Sequence, residues 1–230
     1  MTQCSNDLRR MGQNAHCMEE AANSIIHYLF ESLRDGKSGE RACSLARFFK
    51  THDYRDLDEE LNNFARQFPD KDMDLSKMKC LVLLATAGEK PEWNSRKNSR
   101  GHQAIPLPSV SVVEQFPMIS NLVKQLGMDV KNVIEPRHGL FLDREETVYG
   151  VFHVPDALGN PIIPAQENFV KPQKIKSALG FGGLFPNGDI FAAILFSKVF
   201  ISNKTASLFK TLTLSVEIAT LPFEKKVFSL

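Results

Sequence analysis

Apolar residues recur at helical spacing from Met18 to Arg34, where Met18, Ala22, Ile25, Ile26, Leu29, Phe30 and Leu33 share one side. That pattern predicts an amphipathic helix ending at Asp35-Gly-Lys-Ser-Gly. A second helix is expected from about Glu40, carrying Ala42, Leu45, Ala46, Phe48 and Phe49 and stopping near Thr51. In a third, from Leu57 to about Phe68, the residues Leu57, Leu61, Phe64, Ala65 and Phe68 line up before Pro69-Asp-Lys-Asp breaks the run. Residues 1–75 therefore read as an N-terminal helical extension.

The pattern then changes. Lys79-Cys-Leu-Val-Leu-Leu-Ala-Thr-Ala is a continuous apolar run of strand length. After a polar stretch, Gln103-Ala-Ile-Pro-Leu-Pro-Ser is expected to be extended, because each proline pushes its predecessor out of the helical region. Val110 to Leu126 regains helical spacing, with Pro117 set to kink it or divide it in two and Gly127 to stop it. Leu140-Phe-Leu and Thr147 to Val154 read as strands around a turn at Asp143-Arg-Glu-Glu. Alternation in the second puts Phe152 and Val154 on one face and Tyr149, Val151 and His153 on the other. Pro155 to Ala165 reads as a loop, and a short helix is expected at Ala165 to Phe169. Ser177 to Phe185 and Ile190 to Ser197 are apolar runs joined by Pro186-Asn-Gly-Asp, a β-hairpin signal. Ser202 or Asn203 then caps a helix over Thr205 to Leu221, ended by Pro222. The sum is an α+β fold: a central antiparallel sheet of about five or six strands with flanking helices. Its domain covers residues 76–223, followed by a tail at 224–230.

The segments Ala178-Leu-Gly-Phe-Gly-Gly, Gly188 to Ser197, and Asn203 to Val216 together resemble the C-terminal half of GAF domains, sensory modules related in fold to PAS domains. The whole chain is also similar to uncharacterised sensory segments of bacterial histidine kinases. The resemblance implies a ligand pocket between the sheet and the segments Trp93 to Leu126 and Pro155 to Phe169. It carries over no functional residue.

Composition narrows the function classes. With 43% hydrophobic residues, 24% charged and a formal charge of +1, the chain has no electrostatic reason to bind nucleic acid or an anionic membrane. No apolar run approaches the roughly 18 to 20 residues of a membrane span, and Met1-Thr-Gln-Cys-Ser-Asn-Asp lacks a signal-peptide core, so a cytoplasmic location is expected. Cys4, Cys17, Cys43 and Cys80 show no Cys-x-x-Cys spacing and read as free thiols, Cys80 in the core.

Candidate chemistry concentrates in the polar stretch after Gly88. Trp93, Asn94, Arg96, Arg100 and His102 bring an aromatic face, an amide, two fixed cations and an imidazole together, suited to an anionic or planar ligand. The alternative is a solvated excursion with Trp93 packed as a plug. His138 and His153 would approach each other if their strands pair. The glycines around Phe181 have no phosphate-loop context; they allow a bulge or a close approach to the sheet, and Phe181 joins the candidate ligand-binding set. No catalytic motif is present, so no enzymatic activity is expected. On the last helix, Phe209, Leu212, Val216 and Ala219 form one stripe and Leu214, Ile218 and Leu221 a second; the second meets other parts of the chain or a second copy. The expected function is a ligand- or partner-binding sensory module signalling through its terminal helices, to a partner such as a histidine kinase or as a homodimer. The alternative is a haem- or metal-binding protein or small enzyme using His102, His138 or His153; no cofactor is named by the sequence.

Overall fold

The computed structural model describes residues 1–67, 78–135 and 149–229. Its elements are α1 (Thr2–Arg10), α2 (Met18–Ser32), β1 (Cys43–Asp53), α3 (Glu59–Ala65), β2 (Lys79–Gly88), β3 (Ala104–Leu107) and α4 (Val110–Glu114). There follow α5 (Pro117–Gln125), α6 (Val130–Ile134), β4 (Tyr149–Val154), β5 (Ser177–Leu184), β6 (Ile190–Ser197), α7 (Asn203–Leu208) and α8 (Lys210–Thr220). His138, the Leu140 strand, its turn at Asp143, the residues from Thr147 to Val148, and the Phe68–Pro69 helix end lie outside the described residues.

Six strands form one antiparallel sheet in the order β3-β2-β1-β6-β5-β4. The first half of the chain supplies one side, the second half the other, and they join where β1 pairs with β6. The β5–β6 hairpin turns as its residues dictate: Gly188 takes φ 85°, which a side chain at that position would strain, and its amide donates to the Phe185 carbonyl at 2.9 Å. The glycines flanking Phe181 run in an unbroken ladder with both neighbours, without a bulge.

One expected element is corrected. The stretch from Glu40 to Thr51, expected as a helix, is the strand β1, so the N-terminal segment is not wholly helical and delivers an interior strand of the sheet. The reason is two-sided burial. Ala46 and Phe48 pack into one core, Leu45 and Phe49 into the other, and a strand buried on both faces loses the polar–apolar alternation that would mark it.

Helices cover each face. On one, Ile25, Ile26 and Leu29 of α2, Leu61 of α3, and Leu212 and Val216 of α8 bury against the sheet. Each such side chain contributes about 1.5–3 kcal/mol of transfer free energy. On the other lie α4, α5, α6 and the segment around Ile163 to Ile175. Pro117 divides α4 from α5 as expected: it has no amide to donate and is tolerated in the first turn of the second helix. The closing helix is two segments meeting at Phe209, opened by Ser202, whose hydroxyl accepts from the Thr205 amide at 3.2 Å. Of its second apolar stripe, Leu214 and Ile218 face solvent, 41% and 45% exposed, while Leu221 packs against the core. Helix α1 has no counterpart in the apolar pattern; it buries only Leu8 and is held by polar contacts, Tyr28 donating to Asp7 at 2.8 Å and Ser5 hydrogen-bonding Ser215 at 2.6 Å.

Among the described residues no helix is long and apolar enough to cross a membrane. All four cysteines are free; burial pushes the Cys43 and Cys80 thiols up to about 12, which keeps them protonated.

Candidate functional site

A cavity of about 1040 Å³ opens between the second face of the sheet and the segments that cover it. Strand alternation builds its floor: Leu45, Arg47 and Phe49 are spaced by two along β1 and share a face, joined by Leu81, Ile105, Ile194 and Phe196 from neighbouring strands. Phe116 to Leu122 at the start of α5 form one wall, Ile163 to Phe169 a second, and the stretch from Lys90 to His102 a third.

That third wall depends on the end of β2. The Asn94 side chain accepts from the Gly88 amide and donates to the Gly88 carbonyl, both at 3.0 Å, and also donates to the Lys90 carbonyl. Thr86 Oγ1 donates to the Trp93 carbonyl at 2.9 Å. Trp93 then settles onto Gly88 so closely that a β-carbon there would stand 2.8 Å from the indole, a contact only glycine permits. The result is an aromatic run along the cavity: Trp93 meets Phe169 edge-on at 5.7 Å between centroids, and Phe169 meets Phe196 edge-on at 4.9 Å. The Lys90 ammonium lies 5.0 Å from the centre of the indole face.

Against this apolar surface stand three cations, Arg47, Lys90 and Arg100, and one carboxylate, Glu92. Arg47 is the unusual one. Its Nε is buried without a hydrogen-bond partner, and among the described residues no carboxylate pairs with it. Burial pulls its guanidinium down to about 10. His102 is exposed to solvent at the open side of the cavity. Neighbouring protein, by limiting its hydration, and then the Arg47 charge pull its imidazole below its usual value. Ser99, another lining residue, also keeps a buried hydroxyl without a partner.

Of the residues singled out from the sequence, Trp93, Arg100 and His102 come together on this cavity. The other four do not line it. Asn94 is the clamp just described. Arg96 turns to the opposite side, its Nε donating to Glu19 of α2 at 2.6 Å and its guanidinium lying over Phe228. His153 Nδ1 is 3.0 Å from Asn203 Oδ1 at the start of α7. Phe181 is buried on the helical face against Phe209, with centroids 5.8 Å apart. His102 and His153 are thus in separate places, and among the described residues no three His, Cys, Asp or Glu side chains cluster as metal ligands would. Arg47 was missed because the β1 stretch reads as a helix in which a lone arginine marks the solvent side.

No family model matches the chain, and no curated protein matches it in sequence. Among solved structures it is similar to the GAF domain of an Acinetobacter phosphoenolpyruvate-protein phosphotransferase, with a TM-score of 0.43 and 11% identity over 96% of this chain and 92% of that one. It is also similar to CepR2 of Burkholderia cenocepacia, an N-acylhomoserine lactone dependent transcription factor of the LuxR family, with a TM-score of 0.41 and 12% identity over 98% of both chains.

Proposed function

We propose that this chain is a GAF-like sensory module of bacterial signal transduction, binding a small molecule in the cavity on the second face of the sheet. The observation that carries the reading is the cavity itself. At about 1040 Å³ it lies at the upper end of the range usual for ligand sites, with aromatic and aliphatic walls and a few convergent polar groups. Its role in this reading is binding rather than catalysis. Output passes to the opposite face, where α1, α2 and α8 pack together and on the sheet, as a shift in the population of helix positions.

A thermal-shift screen of the whole chain against nucleotides, haem, flavins, neutral metabolites and small organic acids tests this. A ligand at 100 times its Kd stabilises by about 2.7 kcal/mol, which for a chain of this size raises Tm by roughly 5–10 °C. The expected result is a reproducible shift with one compound class, accompanied by altered amide exchange in α8. Folded protein that shifts with none of them sinks the sensor reading.

A further inference from the structure

Buried arginines are ordinarily paired, because an isolated charge taken out of water is costly. Arg47 is half-buried, its Nε fully enclosed and unbonded, and among the described residues it has no such partner. Three residues along the same strand, Lys50 is enclosed on the other face of the sheet and bonded to Asp189 at 2.5 Å. Arg96, the other deeply placed arginine, is bonded to Glu19. Arg47 has neither an acid nor an acceptor among the described residues; it stands on the cavity floor, where its charge disfavours protonation of the His102 imidazole.

Granting that the cavity is a ligand site, we propose that it takes an organic monoanion, a carboxylic or sulfonic acid with an apolar body, whose charged end pairs with the Arg47 guanidinium. The planar fork of a guanidinium matches the two oxygens of such a head group. The apolar body lies along Trp93, Phe169 and Phe196, with Ile119 and Leu122 across from them. The sign of the charge follows from the lining, in which three cations face one carboxylate. A single charge follows from their placement: Lys90 is stacked on Trp93 and Arg100 is exposed, leaving Arg47, whose Nε is buried and unbonded at the cavity floor, as the cation to be paired.

Titration calorimetry of the whole chain with matched pairs, octanoate against octanol and naphthoate against naphthalenemethanol, reads the charge preference directly. Hydrogen bonds to charged groups lead to an expected preference for the acids on the order of tenfold or more. In Arg47→Met the preference is lost while the alcohols bind within about twofold of wild type, since the replacement keeps the length and apolar stem of the side chain. Equal binding of acid and alcohol to wild type overturns the anion proposal and leaves the ligand site standing. Absence of saturable binding by all four compounds overturns both. Because the acid-to-alcohol ratio is measured on wild type, the outcome does not depend on the variant folding.

Discussion

Lys50 and Arg47 lie on one strand, on opposite faces of one sheet, and the fold treats them in opposite ways. Around Lys50 the charges are closed. Asp189 accepts from Lys50, Lys79, Thr51 and Asn187, and Lys79 also pairs with Asp53 at 2.9 Å. Burial alone would raise the Asp189 carboxyl, but the Lys50 and Lys79 charges outweigh it and hold it below the usual carboxylate range. Around Arg47 nothing closes among the described residues. A cation whose partner is built into the fold serves the fold; one that faces a cavity without such a partner is placed to meet a ligand.

The largest effect expected from breaking this comparison is on the closed side. Asp189→Ala leaves Lys50 and Lys79 without their shared acceptor, and breaking a buried pair from one side costs about 3–5 kcal/mol. For a chain of this size that is a Tm fall of about 10 °C, measurable by calorimetry; a fall of only a degree or two would show that the cluster is solvated and not closed.

Arg47→Met should move Tm the other way. Removing a half-buried charge that has no partner among the described residues takes away part of a desolvation penalty, and the empty protein is expected to gain about 1 kcal/mol, roughly 2–4 °C in Tm. A loss of stability would mean that Arg47 is bonded in the fold and that the contrast with Lys50 is false. A gain joined to lost acid binding is the trade of stability for function expected at a site.

These two residues also show what the sequence can and cannot disclose. The hairpin at Gly188, the division at Pro117 and the Ser202 cap were legible, because each rests on local chemistry within a few residues. So was the cavity wall carrying Trp93, Arg100 and His102, a stretch too polar and too rich in unlike groups for a core element. Strand β1 was not legible. Its apolar positions at 45, 46, 48 and 49 satisfy a helical period, and only the layers packed above and below the sheet reveal that both faces are buried. With the strand misread, Arg47 disappears as a surface residue. Arg96 fails for a related reason: its direction is set by Glu19, 77 positions earlier, and no local spacing encodes a contact of that range. Helix α1 lacks an apolar period because polar contacts to Tyr28 and Ser215 hold it.

Acid separates the two regions by where each responds. His102 is lowered from 6.5 by limited hydration and then by Arg47, so its neutral form contributes to stability above about pH 6.5 and that contribution, kept small by solvent screening of an exposed side chain, is lost as pH falls. His52 is lowered as well, by burial and then by Lys50, and acts in the same direction. Asp189 is lowered from 3.8, so the closed cluster keeps its contribution throughout that range and loses it only further down. Tm measured against pH should therefore decline in two stages, a shallow one between about 6.5 and 4 and a steeper one below. His102→Gln is expected to flatten the first stage in part, His52 retaining the rest, and to leave the second unchanged. A variant whose first stage matched wild type would place the His102 imidazole in bulk water, and with it would go the argument that the Arg47 charge is felt across the cavity.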